Sequence, residues 1–291
     1  MDSQTDLTKS EQVTALFESA ARVMRSSCQR SGSIIKLPAH GRLLVTGDLH
    51  DNPIHLKKIV HLAKLDASKD NHVVLHEIIH SERLVNKVDL SHRMLARSAE
   101  LIIMYPKQVH VVLANHELSQ MMGKGVSKGA GNSVELFDDG LAFVFGDDWK
   151  CVADSINNFI AAMPLAIKSE SGLLCAHSLP AARTYKQFDP GILDRELTED
   201  DYQSRTGSAY LMVWGRGHEQ DQLDDLAKRW GVKLFCLGHE FVETGILLKD
   251  DHMFILNSDH EGAAVLPVDL ACLPSAEEAA YSAIRLASVP L

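Results

Sequence analysis

One arrangement recurs along this chain: a short apolar run followed at once by residues able to ligate a metal or move a proton. Arg42-Leu43-Leu44-Val45-Thr46 leads into Gly47-Asp48-Leu49-His50-Asp51-Asn52. Asp48 and His50 stand two apart, so an extended backbone turns both side chains to one side and offers an oxygen and a nitrogen to one cation. The run ending at Leu75 leads into His76-Glu77-Ile78-Ile79-His80, and the run ending at Leu113 into Ala114-Asn115-His116-Glu117. Leu173 to Ala176 then leads into His177-Ser178, and Leu234 to Leu237 into Gly238-His239-Glu240. Residues scattered at random would fall along helices and strands, whereas these repeat at strand ends, where α/β folds bind ligands.

Asp48, His50, Glu77, Asn115, His177 and His239 make more ligands than the four a single structural zinc takes, so two metals fit better, with a carboxylate between them. Such a pair clamps the attacking and leaving oxygens of a phosphoester. The pentapeptide at His76 has a second reading. On a helix, His76-Glu77-Ile78-Ile79-His80 would place two histidines on one face for zinc, with Glu77 as the general base of a peptidase. That reading requires residues 73 to 84 to form one helix, whereas the first requires a strand that ends before Glu77.

Elements that position these residues are legible from periodicity. Val13, Leu16, Phe17, Ala20, Val23 and Met24 predict an amphipathic helix from Ser10 to Arg30. Ser33–Leu37 reads as a short strand, Pro53 to Leu65 as a helix with proline in its first turn, and Val88 to Met104 as another helix. After glycine-rich Gly123–Gly131, helices are expected over Ser133–Phe145 and Asp147–Ala162. Leu165–Lys168 and Leu173–Ala176 form a hairpin, and the polar region Leu179–Gly207 is a candidate substrate-side insertion. Gln220–Trp230 is helical, and Thr244–Lys249, His252–Asn257 and Ala263–Val268 are strand-like. Ser275–Ala287 reads as an alanine-rich helix.

Length and composition set the outer bounds. At 291 residues and 45% hydrophobic, the chain suits one large α/β domain. A formal charge of −10 argues against a nucleic-acid duplex or an acidic membrane as partner. Five scattered cysteines without a C-x-x-C pair read as thiols rather than a disulfide framework. The polar Met1–Ser10 stretch holds no apolar signal core, and no run approaches the ~20 residues of a membrane span, so the protein reads as cytoplasmic.

The motifs, in this order from about Arg42 to Leu270, resemble the calcineurin-like metallophosphoesterase superfamily, and within it the serine/threonine phosphoprotein phosphatases and their bacterial relatives. That family's pattern is G-D-x-H-G, G-D-x-x-D-R-G, G-N-H-E, H-G-G and a final histidine. The resemblance implies an α/β fold, a four-layer α/β/β/α sandwich of mixed β-sheets flanked by helices. Residues 40–270 would be the metallophosphoesterase domain, after an N-terminal helix and short strand (1–39) and before a helical tail (271–291). It implies two divalent or mixed-valence transition-metal ions, Mn, Fe or Zn. Asp48 and His50 would hold the first and Asn115, His177 and His239 the second, with Glu77 in place of the bridging aspartate. His116 would be the general acid, and Arg216, in Val213-Trp214-Gly215-Arg216-Gly217, would hold the phosphate; His260 is a further candidate for substrate binding. The expected reaction is hydrolysis of a phosphomonoester, on a phosphoprotein, nucleotide or similar molecule, by in-line attack of a metal-bound hydroxide.

The second motif departs from the pattern. His76 stands where glycine is expected, His80 replaces the aspartate that orients the catalytic histidine, and Ser81 replaces a phosphate-binding arginine for which Arg83 could substitute. His76 and His80 are therefore candidates for extra ligands or for groups behind the ligands. A metal-binding pseudo-phosphatase that recognises phosphoproteins without turnover is a third reading.

Overall fold

The computed structural model describes residues 5–125, 127–128 and 131–290. Residues 1–4 of the polar N-terminal stretch, residues 126, 129 and 130 of the glycine-rich loop, and residue 291 lie outside the described residues. The chain opens with α1 (Ser10–Arg25), β1 (Arg30–Ser31), β2 (Ile34–Leu37), β3 (Arg42–Asp48), α2 (Pro53–Ala63), β4 (Asn71–His76), α3 (His92–Met104), β5 (Val109–Val111) and α4 (Asn115–Met121). A two-stranded ribbon, β6 (Ser127–Lys128) and β7 (Gly131–Asn132), precedes α5 (Ser133–Phe145) and α6 (Trp149–Ile160). Then follow β8 (Ala166–Ser169), β9 (Leu173–Ala176), α7 (Ser208–Val213), α8 (Gln220–Trp230), β10 (Leu234–Leu237), β11 (Ile246–Asp250), β12 (Met253–Leu256), β13 (Ala264–Asp269), α9 (Ala276–Ser282) and β14 (Ile284–Arg285).

Two mixed sheets stack in the middle. One has the order β1-β2-β8-β9-β10-β12-β11, the other β14-β13-β3-β4-β5. Leu43 and Val45 of β3 join Cys175, Cys236, Phe254 and Leu256 in the core between the sheets, while Leu44 packs into the second core, beneath the helices. A strand buried on both faces must be apolar without interruption, which is why β3 reads as a continuous run. The strands β3, β4 and β5 are parallel neighbours, as are β9 and β10 in the other sheet, so their carboxyl ends open at the same edge. Crossovers through α2 and α3 impose that parallelism.

N-terminal and C-terminal segments enter the same cores. Phe17 of α1 meets Phe159 of α6 at 5.3 Å between ring centroids, and β2 pairs with β8. The tail differs from one long helix. α9 stops at Ser282, Ala283 is extended, and Ile284 pairs with Val265 of β13. The helix expected from Val88 begins at His92 instead, because Asn86 and Lys87 turn with positive φ and the Asp89 carboxylate accepts from the Ser91 N–H at 2.8 Å. Three short 3-10 turns occupy the polar region after Leu179, fastened by Arg195 to both Asp189 and Asp201. No helix among the described residues is long and apolar enough to cross a membrane.

At the open edge, Glu117 of α4 is fully buried, and its Oε1 accepts from the Ile78 and Ile79 N–H groups at 2.7 and 3.2 Å. Burial pushes its carboxyl up to about 7 despite those bonds. Glu117→Ala would strand both amides and is expected to lower the unfolding free energy from denaturant titration by about 2–6 kcal/mol, from ~1–3 kcal/mol per unsatisfied buried group. Glu117→Gln keeps the acceptor. Because the wild-type group holds its proton longer when folded, the metal-free wild type should lose stability relative to Glu117→Gln as pH rises from about 4.5 to about 7.

Candidate metal centre

Two turns meet where β3 and β4 end. Leu49 and His50 N–H donate to the Glu77 carbonyl at 3.0 and 2.8 Å, and Asp51 N–H to the Ile78 carbonyl at 2.8 Å. Within this ladder His50, Asp51, Glu77 and His80 all adopt positive φ, as does His239 at the end of β10. Such strain, of order 1–3 kcal/mol per residue, persists only where surroundings over-determine it, and it clusters at functional sites. Gly47 makes room between the sheets. The strand runs on through Asp48, and a Cβ at Gly47 would lie 2.0 Å from the Leu256 carbonyl oxygen of the facing sheet. Gly47 N–H also donates to Ser258 Oγ at 2.9 Å, and Ser258 N–H to the Asp48 carbonyl at 3.1 Å, so the sheets are stitched together beside the site.

The six expected ligands converge. Asn115 Oδ1 lies 2.6 Å from His177 Nε2 and 2.9 Å from His239 Nδ1, and the two ring nitrogens are 3.1 Å apart. Glu77 Oε1 is 3.8 Å from His177 Nε2, and Glu77 Oε2 is 3.3 Å from His50 Nε2. Asp48, His50 and Glu77 each offer an atom within 4.8 Å of the others. Asp48 accepts the His239 N–H on both oxygens, at 2.9 and 3.0 Å.

This donor set fits cations. Burial holds His177 well below the usual range and His239 at about 3, so both rings are in the neutral form that ligates. Burial, then the nearby Glu77 charge, raises Asp48 well above the ordinary carboxylate range, the mark of clustered negative charge awaiting a counter-ion. His177 turns Nε2 toward Asn115 and His239, which leaves its Nδ1 facing Asp48 Oδ1 at 3.5 Å. A carboxylate behind a ligating histidine fixes the ring's tautomer.

The peptidase reading is overturned. β4 carries His76 within the strand, and Glu77 and His80 turn with φ of 41° and 62°, so His76-Glu77-Ile78-Ile79-His80 forms no helix and its histidines share no face. His80 is not placed as an extra ligand either: its Nδ1 lies 2.9 Å from His116 Nδ1 and its Nε2 2.9 Å from Gln120 Oε1. His76 is buried beneath the floor, where its Nδ1 would be 3.1 Å from a Cβ at Gly238. With Asp48 and His177 it also offers a set of donor atoms within 4.8 Å of one another.

Above the ligands opens a cavity of about 640 Å³, lined by His116, Arg216, Arg83, Phe241, Asp259 and His260 among others. His116 Nε2 lies 3.7 Å from Glu77 Oε1. Arg216 is held there because Gly215 passes so close to Leu179 that any Cβ would clash, while Ser178 Oγ donates to the Gly215 carbonyl at 2.7 Å. Its guanidinium reaches the His239 carbonyl at 3.4 Å. Arg83 bonds the His50 carbonyl at 2.6 Å and Asp259 at 2.5 Å, so it clasps the rim. His260 lines the cavity, but Nε2 donates to the Val242 carbonyl and Nδ1 accepts the Gly262 N–H, both at 2.9 Å, which leaves only its ring face for a substrate.

Gln120 and Asp138 complete the cluster and are not among the residues expected from the sequence. Gln120 Nε2 donates to Asp138 Oδ1 at 2.8 Å. The spacing of four between His116 and Gln120 on a helix was a usable signal for the first. Asp138 arrives from α5, and nothing in the sequence links it to the motifs.

Residues 41–243 match the family described as Calcineurin-like phosphoesterase. No curated protein sequence matches significantly. Among solved structures, the chain is similar to a protein serine/threonine phosphatase from Saccharomyces cerevisiae, at 14% identity and TM-score 0.65, covering 90% of this chain and 83% of that one. It is also similar to a cold-active protein-tyrosine phosphatase of a psychrophilic Shewanella species, at 12% identity and TM-score 0.60, covering 87% and 81%. The family match spans most of the chain and takes in the strand ends that carry the clustered candidate ligands, so the protein belongs to the calcineurin-like phosphoesterase family and is a metal-dependent phosphoesterase.

Proposed function

We propose that the chain hydrolyses phosphomonoesters at a dinuclear centre, with Asp48 and His50 holding one ion, Asn115, His177 and His239 the other, and Glu77 between them. The observation that carries this reading is the meeting of Asn115 Oδ1, His177 Nε2 and His239 Nδ1 within 2.6–3.1 Å, three groups from separate elements, beneath a cavity lined by His116 and Arg216. Two such ions, with Mn, Fe and Zn all suited to mixed oxygen and imidazole donors, supply an activated water and neutralise charge on the phosphoryl group. The residues of the chain do the rest. Arg216 presents a planar fork of N–H donors to the phosphate oxygens, and His116 donates a ring proton to the leaving oxygen. The similar structures from yeast and Shewanella are protein phosphatases, which supports a phosphorylated side chain as substrate.

Protein stripped of metal and reloaded with Mn, Fe or Zn should hydrolyse p-nitrophenyl phosphate. Asn115→Ala should lower turnover by roughly 10²–10³-fold, the range seen when one transition-state contact is removed. Phosphopeptide binding by the metal-loaded wild type with no turnover of any phosphoester would instead make it a binding module. Thermal unfolding tests the metal directly. An ion at about 100 times its Kd should stabilise the fold by about 2.7 kcal/mol, and Asp48→Asn should shrink that shift.

A further inference from the structure

The hydrogen-bond directions behind His116 are forced, beginning from Asp138. A carboxylate only accepts, so Gln120 must turn its amide N–H₂ to Asp138 Oδ1, at 2.8 Å, and its carbonyl to His80 Nε2, at 2.9 Å. That nitrogen must therefore carry a hydrogen. Between His80 Nδ1 and His116 Nδ1, 2.9 Å apart, there is room for one proton. His80 is 1% exposed and packs edge-on to Phe137 at 5.6 Å, surroundings that disfavour a cation on its ring. The shared proton accordingly belongs to His116, and His80 accepts it through Nδ1. His80 itself is fixed at the backbone, where its N–H donates to Ser91 Oγ at 3.1 Å in a positive-φ turn.

We infer that His80 is the positioning residue for His116, and that Gln120 and Asp138 set its tautomer, so that a neutral imidazole relay does the orienting. This rests on the phosphoesterase reading above. With Nδ1–H committed to His80, the nitrogen of His116 on the Glu77 side is Nε2, and only its proton can be delivered to substrate. In the step, the oxygen of water bonds to phosphorus and the P–O bond to the leaving group breaks. The electron pair stays on the leaving oxygen, which takes the Nε2 proton. His116 is left as the neutral Nδ1–H tautomer, still bonded to His80, and water's proton passes to solvent; an ester and a water become an alcohol and a phosphate.

The relay predicts a leaving-group signature. An alkoxide needs the proton in order to leave, whereas p-nitrophenolate hardly does. Gln120→Met and His80→Leu should therefore lower kcat on phosphoserine by about 10²-fold, the low end for general acid catalysis, and on p-nitrophenyl phosphate by no more than about threefold, with KM unchanged. His80→Asp, which returns an acceptor to the same place, should restore most of the phosphoserine turnover. Histidine ¹⁵N NMR of the metal-free protein provides a reading independent of turnover: His80 should appear as the Nε2–H tautomer in the wild type and lose that preference in Gln120→Met. Equal losses on both substrates, no loss on either, or an Nδ1–H signature at His80 would overturn the relay. Failure of the metal-loaded wild type on both substrates, with the His80 tautomer as expected, would overturn the phosphoesterase reading instead.

Discussion

The region around the cavity depends on holding two carboxylates, Asp48 and Glu77, together and out of water. Both are almost fully buried, and their ligating oxygens come within 4.8 Å. At an effective dielectric constant near 20, two unit charges at that distance repel by roughly 3 kcal/mol. The fold resists this through backbone. The amides of Leu49, His50 and Asp51 are threaded onto the carbonyls of Glu77 and Ile78, and Glu117 grips the next two amides from below. Strain at four left-handed residues and repulsion between two acids are thus held by one ladder, and a cation bound between the acids would turn their repulsion into attraction.

That ladder needs two sheets. β3, β4 and β5 deliver Asp48, Glu77 and Asn115 from one side, and β9 and β10 deliver His177 and His239 from the other. The sheets must approach closely for imidazoles from one to meet carboxylates from the other. Gly47 against Leu256 and Gly238 against Asp48 are points of close approach, where a methyl group would sit 2.0 and 2.4 Å from oxygen. Glycine is required there for space, since neither residue has a positive φ.

Most of this was legible because each candidate ligand follows an apolar run in the chain. Strand ends are local features, so Asp48, His50, Asn115, His177 and His239 could be found one at a time. The turn after β4 was harder. His76-Glu77-Ile78-Ile79-His80 suits a helix by spacing, and only tertiary bonds from Glu117 and the β3 turn force the left-handed geometry that separates its histidines. The partners of His80 were harder still. Gln120 shares a helix face with His116, but Asp138 comes from a different helix and meets Gln120 only after α4 and α5 pack. The early start expected for α3 failed for a local reason, the Asp89–Ser91 turn, which competes with helix through a side-chain bond.

Three successive residues tie His116 to the candidate ligands. Asn115, His116 and Glu117 form the first turn of α4, and consecutive helical side chains point about 100° apart. One reaches the histidines of the facing sheet, one meets His80 and the cavity, and one anchors the turn that carries Glu77. A helix starting one residue later would rotate all three at once, separating Asn115 from His177 and His239 and freeing the strained turn. The second motif can therefore change as it does here, with Glu77 and His80 in place of shorter acids, while α4 keeps its register. Its tolerance lies in the side chains, and its fixed point is the backbone of Ile78 and Ile79 on Glu117.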